Sequence, residues 1–120
     1  MLNIKGLSTS YGSIKAIKEI DLEVPQGSIV SLIGANGAGK TTTMKSLVGL
    51  LKAQSGQVKF FGQEIRGLPP HKIVGLGISL VPEGRSILAG MTVLENLEMG
   101  AYQRKDSEVE EDLKKVFERF

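Results

Sequence analysis

The sequence predicts an α/β fold with an antiparallel β-subdomain at its N-terminus, on three observations. Ser28-Ile29-Val30-Ser31-Leu32-Ile33 is a short apolar run rich in β-branched residues. It leads into a glycine-rich stretch and then a helical pattern, the order strand, loop, helix. A second apolar run, Ile78-Ser79-Leu80-Val81, stops at Pro82 and is followed by the polar loop Glu83-Gly84-Arg85-Ser86. In open α/β sheets that edge is where ligands bind. Upstream of both runs, apolar and polar residues alternate, as expected of antiparallel strands with one wet face.

The elements follow in order. Leu2 and Ile4, with Gly6-Leu7, alternate with polar residues and predict a half-buried strand. Ser8 to Ser13 is a polar turn carrying Tyr11. From Ile14 the alternation resumes, with Ile20, Leu22 and Val24 on one face and Glu19, Asp21 and Glu23 on the other. Pro25-Gln26-Gly27 is a turn, since proline presets φ and glycine accepts φ > 0. Ser28–Ile33 reads as a buried strand, and Thr41 to Val48 as a helix with Met44, Leu47 and Val48 apolar. Gln57–Gly62 reads as another strand. Pro69 and Pro70 suit the first turn of a helix from about Pro70 to Val74. Ile78–Val81 reads as a second buried strand. Thr92-Val93-Leu94-Glu95 and Ser107-Glu108-Val109-Glu110 each have the form of a capping box opening a helix. On the second helix Glu110 with Lys114, and Glu111 with Lys115, are spaced i,i+4 in the favourable order.

Composition narrows the class. Of 120 residues 41% are hydrophobic and 23% charged, which is ordinary for a soluble globular chain. There is no cysteine, so no disulfide, thiol chemistry or Cys-based metal site. A net charge of +2 argues for neither nucleic acid nor an anionic membrane. No apolar run is long enough to span a bilayer and Met1–Lys5 has no apolar signal region, so the expected location is cytoplasmic. Fifteen glycines argue for tight turns, because apolar runs lie between them.

The glycine-rich stretch carries the chemistry. Gly34-Ala35-Asn36-Gly37-Ala38-Gly39-Lys40-Thr41 fits the phosphate-binding pattern of Gly, four residues, Gly-Lys-Ser/Thr. Gly34, Gly37 and Gly39 are expected to take left-handed conformations, so that consecutive amides form an anion nest. The following helix adds the positive end of its dipole. Lys40 is a long point charge suited to β- and γ-phosphates. The Thr41 hydroxyl is placed to hold magnesium. Against this stands a glycine-rich turn that only happens to end in Lys-Thr; the strand before and helix after disfavour it. His71, with no second His or Cys nearby, is not a metal ligand.

Tyr11-Gly12, Gly34 to Thr42, Ser55-Gly56, Val81-Pro82-Glu83 and Met91 to Leu97, in this order, resemble an ABC-transporter ATPase subunit over the whole chain. More narrowly, Gly34-Ala35-Asn36-Gly37, Leu68-Pro69-Pro70-His71, Val81 to Arg85 and Glu95 to Tyr102 resemble the ATPases of branched-chain amino-acid importers; those of urea importers look similar. The resemblance implies a P-loop NTPase core binding ATP and Mg2+. Gly34, Asn36, Gly37, Ala38, Gly39, Lys40, Thr41 and Thr42 would hold phosphate, Lys40 would stabilise the charge in transfer, and Thr41 would ligate the metal. Tyr11 matches the aromatic on which adenine stacks; the alternative is an ordinary loop or edge tyrosine. Glu83 stands where most members carry a glutamine that contacts magnesium and the attacking water. A glutamate keeps an oxygen ligand, adds charge and loses the amide donor. The alternative for Glu83 is a solvated loop carboxylate.

The resemblance also implies partners: a second ATPase subunit, membrane permease subunits and, indirectly, a solute-binding protein, with the ATPase peripheral on the inner face of the cell membrane. A Leu-Ser-Gly-Gly signature, an apolar strand ending in Asp-Glu and a switch histidine do not follow Glu83. Residues 1–120 are therefore expected to be the N-terminal part of one ATP-binding domain, ending before the signature and Walker B segments. Such a chain would bind nucleotide weakly, hydrolyse it hardly at all and self-associate. The rival readings are a nucleotide-binding module without hydrolysis, a soluble ABC ATPase of translation or repair, and an unrelated P-loop kinase.

Overall fold

Strand β1 (Leu2–Tyr11) is the hub of a four-stranded antiparallel sheet. It pairs with β2 (Ile14–Val24) on one side and β3 (Ser55–Phe60) on the other. A tight turn joins β3 to the two-residue β4 (Gln63–Glu64), giving the order β2-β1-β3-β4. Tyr11 opposite Ile14 closes the β1–β2 hairpin, and Ile4 stands opposite both Leu22 and Val58. The computed structural model describes residues 1–120 as two compact units, Met1–Leu80 and Val81–Phe120.

In the first unit the sheet supplies half of the core. The predicted alternation of β2 holds: Ile20, Leu22 and Val24 are half-buried, and Glu19, Asp21 and Glu23 are exposed. In β1 the register shifts between Ile4 and Leu7. That irregularity lets both side chains, three residues apart, point into the core. Val58 of β3 and Ile65 beyond β4 join them. Helix α1 (Lys40–Leu47) and helix α2 (Pro70–Gly75) add Leu47 and Ile73. Pro70 occupies the first turn of α2, where its missing N–H has no helical acceptor to lose.

The inward face of α1 is less apolar than its sequence suggests. Thr42, Thr43 and Ser46 are buried beside Leu47. Thr43 Oγ1 donates to the Gly39 carbonyl oxygen at 2.9 Å, and Ser46 Oγ donates to that of Thr42 at 2.8 Å. Ser46 Oγ also meets Thr9 Oγ1 of β1 at 2.9 Å. No buried side-chain nitrogen or oxygen lacks a partner, so these hydroxyls avoid the cost of unpaired burial.

Two sequence expectations are corrected. Ser28–Ile33 and Ile78–Val81 are not strands. Ile29 is 98% and Ile33 91% exposed, and Val81 is 90% exposed; only Ile78 packs against the core. A strand is defined by its ladder, and a continuous apolar run becomes a buried strand only between neighbours and under covering layers. Neither run has a ladder neighbour in this chain. The predicted strand at Gln57–Gly62 is present but shifted, since Phe61 and Gly62 form the turn into β4.

The second unit holds helix α3 (Val93–Gly100) and helix α4 (Val109–Arg119). The capping box at α3 forms as predicted: the Glu95 amide donates to Thr92 Oγ1 at 3.2 Å, and the Thr92 amide to Glu95 Oε2 at 2.7 Å. The bonds from the Thr92 amide and from Thr92 Oγ1 to Glu95 Oε2 hold the Glu95 carboxyl below its usual range. The Asn96 side chain accepts from the Leu88 amide at 2.9 Å and donates to the Thr92 carbonyl oxygen at 2.9 Å, tying the preceding loop to the helix.

The second predicted capping box does not form. Glu108 is the N-cap of α4 and makes no side-chain cap; instead Asp106 Oδ1 accepts from the Glu108 amide at 3.1 Å. Asp106 is drawn there by Arg104, whose guanidinium bonds Asp106 and Asp112 at 2.7 Å each. The hydrogen bond from Arg104 lowers the Asp106 carboxyl to about 2. Of the two predicted i,i+4 pairs, Glu111–Lys115 forms at 2.9 Å. No helix of the chain is long and apolar enough to cross a membrane.

Candidate functional site

The glycine-rich stretch forms a loop that ends in α1. Gly39 is the N-cap, left-handed at φ 95°, and Gly37 is left-handed at φ 83°. Gly34 is not, so the expected conformation holds at two of the three glycines. The Ala38 amide donates to the Ala35 carbonyl oxygen at 3.1 Å and closes the turn around Asn36. Asn36, Gly37 and Ala38 are exposed.

Lys40, the first residue of α1, folds back over this turn. Its Nζ donates to the Gly34 carbonyl oxygen at 2.6 Å and the Ala35 carbonyl oxygen at 2.7 Å. An ammonium carries three protons, so one remains for an anion. The Thr43 amide makes the first helical bond, to the Gly39 carbonyl oxygen at 2.8 Å. The amides of Lys40, Thr41 and Thr42 precede it and have no i−4 carbonyl within the helix. No acidic residue occupies the first turn, so the positive end of the helix dipole is not offset locally. Loop, ammonium and free amides together favour a phosphate-like anion.

The hydroxyls of Thr41 and Thr42 differ. Thr41 is exposed, whereas Thr42 is buried and has only its backbone amide to offer a ligand. Magnesium demands an octahedron of oxygen ligands and usually arrives with phosphate and water. No group of three or more His, Asp and Glu side chains could hold a metal alone. One exposed hydroxyl at the mouth of an anion loop fits an ion that arrives with phosphate.

Tyr11 ends β1 and is half exposed. The structure brings its hairpin and the loop together: a Cβ on Gly39 would lie 2.5 Å from Ile17 Cγ2 and 2.9 Å from the Ala16 carbonyl oxygen of β2. Ile17 is the register partner of Thr9, two residues before Tyr11. Glu83 lies in the second unit, exposed in the turn after Pro82. Sequence reasoning missed Thr9, Ile17, Thr43 and Ser46, the residues that seat the loop. Their signal was Thr and Ser at positions 42, 43 and 46, one helical face, following the loop.

The ABC transporter family matches residues 17–120. The chain belongs to this family. Over its whole length it is 42% identical to the high-affinity branched-chain amino acid transport ATP-binding protein BraG of Pseudomonas aeruginosa, spanning 52% of that protein. It is 36% identical to the probable branched-chain amino acid transport ATP-binding protein LivF of Archaeoglobus fulgidus, spanning 51% of it. The chain thus spans about half the length of the curated relatives it matches. The fold is that of solved cassettes: a dimeric ATP-binding cassette in a post-hydrolysis state bound to ADP and Pi superposes with a TM-score of 0.78 at 24% identity, covering 89% of this chain and 50% of that one. The antiparallel sheet corresponds to the N-terminal sheet of that fold, and the loop from Gly34 to Thr41 rests on it through Gly39.

Proposed function

We propose that this chain is the nucleotide-binding part of an ATPase subunit that drives uptake of branched-chain amino acids through a membrane permease. The observation that carries the nucleotide assignment is Lys40, held by the carbonyls of Gly34 and Ala35 with one proton to spare at an uncapped helix N-terminus. The solute class is supported by the likeness to BraG and LivF.

In this reading the amides of Gly37 and of Gly39 to Thr42 bind β- and γ-phosphate oxygens, and Gly34, Asn36 and Ala38 shape the turn. Lys40 neutralises charge as it develops on the transferring phosphoryl group. Thr41 ligates a nucleotide-bound magnesium ion, which when bound offsets phosphate charge. Tyr11 stacks on adenine. Glu83 contacts the attacking water or the metal. The family match runs through both units, which supports one ATP-binding domain over residues 1–120. A second such subunit, the permease and a solute-binding protein complete the transporter, and the ATPase works peripherally on the cytoplasmic face. Turnover by these 120 residues alone is low, because Lys40 supplies only part of the transition-state stabilisation and a general base and an opposing donor supply the rest.

The test is a titration of the chain with ATP and Mg2+, wild type against Lys40→Ala. Equal affinity would sink the phosphate-loop assignment. Uptake of labelled leucine in cells carrying the Lys40→Ala allele tests the solute; undiminished uptake removes the branched-chain assignment.

A further inference from the structure

Two of the contacts between the β1–β2 hairpin and the loop-bearing helix involve one register pair. Thr9 and Ile17 face each other across the hairpin. Ile17 packs where Gly39 has no side chain, at the start of α1. Thr9 Oγ1 meets Ser46 Oγ at 2.9 Å, about two turns further along α1. Thr9 is 1% and Ser46 8% exposed, and Ile17 is 5% exposed. Ser46 Oγ is also bonded to the Thr42 carbonyl oxygen, so the hydroxyl pair reaches back toward the first turn of the helix.

We infer that Thr9, through Ser46, is a positioning residue that sets the distance between the base-stacking Tyr11 and the phosphate loop, and so determines selection of adenine nucleotides over other polyphosphates. Tyr11 lies two residues beyond Thr9 on the same strand, roughly 7 Å along it. A purely apolar contact between strand and helix lets the two slide. A buried hydroxyl pair has one good geometry, because moving either partner leaves a buried polar group unpaired. The Gly39–Ile17 contact is the pivot, and the Thr9–Ser46 bond fixes rotation about it. This rests on the reading above, in which the loop holds nucleotide phosphates and Tyr11 the base.

The experiment compares the affinities of the chain for ATP and for inorganic tripolyphosphate, which lacks the base. In Thr9→Val, shape is kept and the hydroxyl removed. The expected result is a fall of about fivefold in the ratio of ATP to tripolyphosphate affinity, with tripolyphosphate binding itself little changed. Thr9→Ser should restore the ratio. Should Thr9→Val fail to fold, Ser46→Ala removes the same bond at a helical site that favours alanine, and the same fall is expected. An unchanged ratio in whichever of these variants folds overturns the inference, as does an equal loss for both ligands. Wild type that binds neither ligand overturns the nucleotide reading itself, and Lys40→Ala, which should weaken both ligands, separates the two failures.

Discussion

Lys40 Nζ lies 2.6 Å from the carbonyl oxygen of Gly34, six residues back, so the lysine that closes the loop also clasps its start. The charge is set in place by backbone groups that every sequence has. What the sequence must supply is the turn that lets those carbonyls converge. Substituting Lys40→Ala should lower affinity for ATP at least about tenfold, as expected for loss of a charge-assisted contact. Stability should change little, because the carbonyls released are exposed and water replaces the ammonium. Isothermal titration reads the first and thermal unfolding the second. A variant that binds ATP normally would remove Lys40 from the site.

Gly39 and Gly37 are both left-handed, but they differ in what surrounds them. A Cβ on Gly39 would strike Ile17 Cγ2 at 2.5 Å, whereas one on Gly37 would meet nothing within 4 Å. Gly37→Ala should therefore cost about 1 kcal/mol, the strain of a left-handed alanine. Gly39→Ala adds overpacking against β2 and should cost roughly 2–4 kcal/mol in all. Chemical denaturation of the two variants gives the comparison. Equal losses would show that the loop is not seated on β2 as described.

The start of α4 in the second unit should respond to low pH. Hydrogen bonding to Arg104 lowers the carboxyls of both Asp106 and Asp112. A lowered carboxyl contributes stability that is present above its unfolded value of 3.8 and lost as pH falls through its folded value, about 2 for Asp106. Between pH 4 and pH 2 the start of α4 should therefore loosen. Faster amide exchange at Glu108, whose N–H donates to Asp106, is the reporter. Arg104→Gln should move that loosening to higher pH; an unmoved profile would place the cause elsewhere.

The legible parts of the chain were those whose signal is local. The loop motif, the alternation of Ile20, Leu22 and Val24, the proline start of α2 and the Thr92–Glu95 box each depend on residues a few positions apart. Ser28–Ile33 and Ile78–Val81 were misread because composition records what a strand would pack against, not whether a ladder neighbour is there. Ser107 was misread because the helix starts one residue later: Glu108 is the N-cap, and its amide donates to Asp106, which Arg104 holds. The seat of the loop escaped notice because it depends on Thr9 and Ser46, which are 37 residues apart.

The exposed apolar run before the loop makes the last prediction. Ile29 and Ile33 are almost fully exposed, with Val30 and Leu32 partly so, on a segment whose backbone enters no ladder. Apolar side chains on an unpaired segment invite association with another chain. The 120-residue chain should therefore self-associate in a concentration-dependent way, as seen by light scattering. Ile29→Lys with Ile33→Lys should reduce it, since charge on such a segment opposes edge-to-edge pairing. The substitutions should leave the hairpin core intact, because neither isoleucine belongs to it. A wild-type chain that stays monomeric at high concentration would mean that the run is satisfied within the chain itself.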